Sequence, residues 1–147
     1  MKIAIGCDHG GFLLKEAMIA FLTEKGYTVK DFGCFNTDSI DYPDYAFPTA
    51  EAVADGAFDR GIVICTTGIG VSICANKVRG IRCALCATPF QAEMTRRHND
   101  TNVLALGAKV TDEATAKEIA EIWLTTAYEG GRHARRIDKI MEYEKNH

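Results

Sequence analysis

An α/β fold built on a parallel sheet is what this sequence predicts. Five short apolar runs alternate with helix-period segments along its length. Gly61–Cys65 (GIVIC) is apolar throughout, the pattern of a strand covered on both faces. Glycines fall where helical periods stop, as at Gly26 and Gly56.

Lys2–Cys7 (KIAIGC) predicts the first strand. Phe12–Lys25 carries apolar residues at helical spacing and stops at Gly26, and Tyr27–Phe32 predicts a second strand. Gly33–Pro43 is a polar loop, followed by a helix over Tyr45–Asp55 and the third strand, Gly61–Cys65. Thr66–Gly70 then leads into a short helix reaching about Lys77. Cys83–Ala87 predicts a strand, and Pro89–Arg97 a helix with proline suitably at its start. Val103–Leu106 is the fifth strand. Asp112–Thr126 is a helix with Asp112 near its cap, and Arg132–Asn146 a final helix. Strand–helix alternation of this kind gives a parallel sheet with helices on both faces and ligands beyond the carboxyl ends of the strands.

A chain of 147 residues suits one domain, residues 1–147, large enough to bury a core without staples. A net charge of −3 gives no sign of nucleic acid or an anionic membrane as partner. Met1–Cys7 is too short for a signal peptide, and no stretch approaches the roughly 18 apolar residues of a membrane span. The expectation is a cytoplasmic protein whose six cysteines are reduced. Cys83 and Cys86, three apart on a predicted strand, point to opposite faces and so poorly share a metal. No cluster shows metal-ligand spacing, and no cofactor is expected.

Four strand-end or helix-end clusters carry the chemistry. Asp8-His9 precedes two glycines at the end of the first strand, where backbone can approach a ligand closely; a turn with a capping aspartate is the plainer reading. Cys65 precedes Thr66, Thr67, Gly68, Ile69 and Gly70, a glycine loop that presents N–H groups to negative charge. A thiol there is expected to ionise more readily than a free one, and so to serve as a base beside an oxyanion hole. The loop lacks the third glycine of a dinucleotide fingerprint and the Gly-Lys of a Walker loop. His98 has the side chain of a general acid or base, although the polar stretch Arg96–Asn102 also reads as a plain loop. Arg132 and Arg136 share a helix face and form either a phosphate clamp or a solvated basic face.

Taken together, Cys7–Gly11 (Cys-Asp-His-x-Gly), Cys65–Gly70 (Cys-x-Thr-Gly-x-Gly), His98–Asn102 (His-Asn-Asp-x-Asn) and Gly130–Arg136 (Gly-Gly-Arg-His-x-x-Arg) resemble, in that order, type B ribose-5-phosphate isomerases. The wider family includes galactose-6-phosphate isomerase subunits. The likeness runs from Lys2 to about Ile140. It implies a Rossmann-like three-layer sandwich and a homodimer with active sites between subunits. It also implies metal-free interconversion of ribose 5-phosphate and ribulose 5-phosphate within pentose phosphate metabolism. By the same resemblance, Cys65 is the base and Thr66 to Gly70, with the Thr67 hydroxyl, form the anion hole. His98 helps open the sugar ring and Asp8 orients hydroxyls. His9, Arg132 and Arg136 bind phosphate, and Asn99 holds a substrate oxygen. Lys109 stands where some members carry arginine and is a further phosphate contact; Thr66 stands where glycine is frequent. A six-carbon substrate (allose 6-phosphate or galactose 6-phosphate) and a non-catalytic phosphosugar-binding module are the competing readings.

Overall fold

The computed structural model describes residues Met1–His147. Its centre is a five-stranded, all-parallel sheet in the order β2-β1-β3-β5-β4, formed by β1 (Lys2–Cys7), β2 (Thr28–Asp31), β3 (Arg60–Cys65), β4 (Cys83–Leu85) and β5 (Val103–Gly107). Six helices cover it: α1 (Phe12–Glu24), α2 (Pro43–Ala54), α3 (Ile69–Lys77), α4 (Pro89–Asn99), α5 (Glu113–Thr125) and α6 (Arg132–Asn146). A single 3-10 turn, His9–Gly11, joins β1 to α1.

Alternation along the strands builds two cores. Ile3, Ile5, Ile62, Ile64, Leu104 and Leu106 pack with Met18, Leu22, Ile119 and Trp123 from α1 and α5. The intervening Ala4, Val63 and Ala105 face the other side, against Ala46, Ala50 and Val53 of α2 and Val71 of α3. These are the three layers the sequence predicts. Large residues fill one interface, while small ones let α2 lie close to β1 on the other. Cys86 belongs to the first core and Cys83 packs against the second, so the two thiols lie on opposite faces, as the strand reading expects.

Some boundaries differ from the sequence reading. Helix α2 begins two residues early because Pro43 occupies its first turn with its φ already suitable. Strand β4 is shorter than predicted, pairing only with β5 at the sheet edge. Helix α4 runs on to Asn99, so His98 and Asn99 lie in its last turn rather than in a loop; Asp100, at φ 46°, ends it. Thr88 caps its other end, accepting from the Gln91 N–H, and Asp112 caps α5 through the Thr115 N–H. Lys15 is fully buried and its ammonium pairs with Asp31 at 2.6 Å, which ties α1 to β2. No helix is long and apolar enough to cross a membrane.

Candidate active site

Strand order reverses between β1 and β3, since β1 is followed by β2 on one side and β3 pairs on the other. The crevice of such a sheet opens beyond the carboxyl ends of the strands flanking that point. Asp8 follows β1 there, and Cys65 is the last residue of β3.

The loop after Cys65 is tied down on both sides. The N–H groups of Ala108 and Lys109 donate to the carbonyls of Cys65 and Thr66 at 2.9 and 3.0 Å, which fixes the ends of β3 and β5 together. Gly68 takes φ 80°, a region L side chains avoid, and a Cβ there would meet the backbone of Leu106 and Gly107 at 2.9 and 3.0 Å. This turn aims the Gly68 N–H at Cys65 Sγ, 3.1 Å away. Helix α3 starts at the next residue, so its free N–H groups also face this region. The Thr67 hydroxyl accepts from the Ile69 N–H at 3.2 Å, leaving its own O–H to donate.

Asp8 and His9 stand across from the loop. Asp8 Oδ1 accepts from the Gly11 N–H at 3.1 Å, the capping contact of the plainer reading, and its Oδ2 is left for a ligand. Gly10 lies directly against the Thr66 hydroxyl, leaving no room for a side chain. His9 Nδ1 accepts from the Ile40 N–H at 3.1 Å, so the neutral ring carries its proton on Nε2. Lys109 is exposed and shares with His9, Gly10, Thr37 and Thr111 the lining of a cavity of about 300 Å³. Asp8 also borders a cavity of about 490 Å³ beside Ile40–Asp44. Tyr42 of that loop packs its ring over Gly70. Sequence reasoning gave Tyr42 no role, because a polar loop offers no periodicity to read.

The remaining predicted residues form a second group elsewhere. Helix α4 runs back along the sheet, and β5 begins four residues after its end, where the Gly61 N–H meets the Asn102 carbonyl at 3.0 Å. His98 and Asn99 therefore lie toward the amino-terminal end of the sheet. Cys65 is paired with Gly107 at the other end of β5. The length of β5 separates the two groups by about 15 Å. Within one chain the structure does not bring Cys65 and His98 together.

The second group is compact. The Glu129 N–H donates to the Arg97 carbonyl at 3.1 Å, docking the start of α6 on the end of α4. His98 and His133 stack with ring centroids 4.2 Å apart. Burial, with His98 and Arg132 nearby, holds the His133 imidazole below the usual histidine range. Asn99 Oδ1 accepts from the Thr95 hydroxyl at 3.2 Å, leaving its amide N–H groups unused. Arg132 and Arg136 are exposed and take part in no ion pair within the chain. Donor atoms of His98, Glu129 and His133 lie within 4.8 Å of one another, a cluster invisible to sequence spacing.

Comparison with known proteins gives the family. Residues 3–140 match the family described as Ribose/Galactose Isomerase. Ribose-5-phosphate isomerase B of Escherichia coli is 50% identical over 98% of this chain and 97% of its own length. The ribose-5-phosphate isomerase B structure from Clostridium thermocellum superposes with a TM-score of 0.98 at 53% identity, covering 99% of each chain. A Mycoplasma genitalium ribose-5-phosphate isomerase B structure with bound ribulose-5-phosphate gives 0.96 at 40% identity, covering 99% of this chain and 97% of that one. With the match spanning the motif-bearing strand ends and the fold shared throughout, this chain belongs to the ribose/galactose isomerase family.

Proposed function

We propose that this chain is a metal-independent aldose–ketose isomerase that interconverts ribose 5-phosphate and ribulose 5-phosphate through an enediolate. The observation that carries this reading is the Cys65 thiol, held at a strand end with the Gly68 N–H donating to its sulfur. Sugar isomerisation moves a proton between C2 and C1 and leaves negative charge on oxygen meanwhile. A thiolate base with fixed N–H donors meets both needs without a Lewis acid.

The roles then follow from position. Cys65 takes the proton from C2 of the open-chain aldose and returns it to C1. Thr66, Thr67, Gly68, Ile69 and Gly70 surround the enediolate oxygens, the Thr67 O–H donating to one of them. Asp8 orients a hydroxyl group. The Nε2–H of His9 and the Lys109 ammonium point to an anion at the cavity they share, the place for the phosphate. Arg132 and Arg136, four residues apart on α6 and free of internal partners, complete the phosphate site. His98 transfers the ring proton when the sugar opens, and Asn99 holds a substrate oxygen.

Those last four residues come from a second subunit. Cys65 and the partner subunit's His98 form one site in a homodimer, which resolves their separation within the chain. Ile69, Ile73, Leu85 and Phe90 are exposed around the Cys65 loop, an apolar surface that suits a subunit contact. The enzyme acts in the cytoplasm on a small sugar phosphate, with no cofactor, nucleic acid or membrane partner. A six-carbon substrate stays a second reading because the family description joins ribose to galactose, and the cavity beside Ile40–Asp44 has room.

The experiment is an isomerase assay on chelator-treated protein with five- and six-carbon sugar phosphates. Turnover of ribose 5-phosphate in EDTA is expected. Activity that vanishes in EDTA and returns with a divalent ion contradicts the mechanism.

A further inference from the structure

His98, Glu129 and His133 meet where the last turn of α4 faces the first turn of α6. His133 is 5% exposed, and its Nε2 is buried without a hydrogen-bond partner. A polar atom left in that state is costly, and an imidazole nitrogen is relieved by a hydrogen-bond partner or a metal. The other two residues decide between them. Glu129 makes no hydrogen bond to this nitrogen, and the His98 ring, stacked at 4.2 Å, holds its own N–H in a near-parallel plane, whereas all three side chains offer lone pairs.

We propose that this cluster is a binding site for a divalent transition-metal ion of the zinc class. Two imidazoles and one carboxylate are a common zinc donor set, with a fourth position left open. Imidazole donors disfavour calcium and magnesium, which take oxygen ligands. Zinc ligands at about 2.0–2.1 Å in a tetrahedron stand about 3.3 Å apart. The donor atoms here are already within 4.8 Å, so closing the site asks for shifts of about 1.5 Å between them. The backbone around it is pinned by the Glu129–Arg97 bond and by the His133 N–H on the Gly130 carbonyl at 3.2 Å.

Occupancy has a consequence. The ion takes the His98 nitrogen that opens the sugar ring, so the metal inhibits. This step rests on the role given to His98 above; the metal site itself does not.

The test titrates chelator-treated protein with zinc or cobalt, reading the dissociation constant by competition with a chromophoric chelator. Parent, Glu129→Gln, His133→Asn and Cys65→Ala proteins are compared. Glu129 is exposed, so its variant folds even if the buried His133 tolerates no change. Losing one ligand is expected to weaken binding at least about tenfold, since even outer partners of a metal ligand cost about that much. Glu129→Gln is also expected to keep parental turnover in EDTA and to resist zinc inhibition by a similar factor. Parental affinity in both Glu129→Gln and His133→Asn overturns the proposal. So does binding that only Cys65→Ala abolishes. Tight binding through these residues with turnover unaffected keeps the site and contradicts the role of His98.

Discussion

The Gly68 N–H and the Cys65 sulfur are 3.1 Å apart, and the contact exists because Gly68 adopts a left-handed φ of 80°. One backbone angle thus couples the end of β3 to the start of α3. A donor aimed at sulfur complements negative charge there, at the mouth of the crevice where α3 begins.

Alkylation should follow that placement. Burial pushes the Cys86 thiol up to about 12 and raises Cys7, Cys74 and Cys83 as well, so these stay protonated and slow to react. Iodoacetamide near neutral pH is expected to modify Cys65 before any of them, with saturating sugar phosphate protecting. Peptide mapping checks the order. First labelling at Cys83 or Cys86 contradicts it.

The distance between Cys65 and His98 within the chain gives a test of the shared site. Cys65→Ala and His98→Asn homodimers are each expected to be impaired. Mixed and re-equilibrated, half the dimers are hybrids, and one of the two sites in each hybrid is intact. Activity should then recover to about a quarter of parental. No recovery under confirmed subunit exchange means that both residues serve from the same chain.

Arg136 is exposed and unpaired in the chain, so replacing it should cost binding rather than folding. Arg136→Ala is expected to lose roughly 1.5–3 kcal/mol in kcat/KM, a factor of about 10 to 150. Thermal unfolding should be unchanged, and inorganic phosphate should compete with substrate in the parent. Parental kinetics in the variant assign Arg132 and Arg136 to a solvated face.

Much of this architecture was legible in the residues. The bounds of β1 and α6 follow from their apolar patterns, and Gly26 and Gly56 mark true helix ends. Local signals reached the Cys65 loop because the glycines and the thiol lie within six residues. What escaped was set by tertiary geometry. Helix α4 outruns its apolar period because Asp100 caps it in a left-handed conformation. Lys15 is buried, which its charge argues against, because Asp31 arrives from a neighbouring element. Tyr42, Ile40 and Glu129 take their places only once loops fold back on the sheet. The division of the candidate site between two ends of β5 follows from strand direction, which no single motif reveals.

The central claim is that Cys65 moves the proton, and Cys65→Ala tests it most directly. Alanine at this strand end removes little core volume, so the fold should persist by circular dichroism and thermal unfolding. Turnover of ribose 5-phosphate is expected to fall by about a hundredfold or more, the scale of a lost general base. Exchange of the C2 proton with solvent should fall alongside it. A folded Cys65→Ala protein that turns over at near-parental rate contradicts the account and moves the base to a carboxylate such as Asp8.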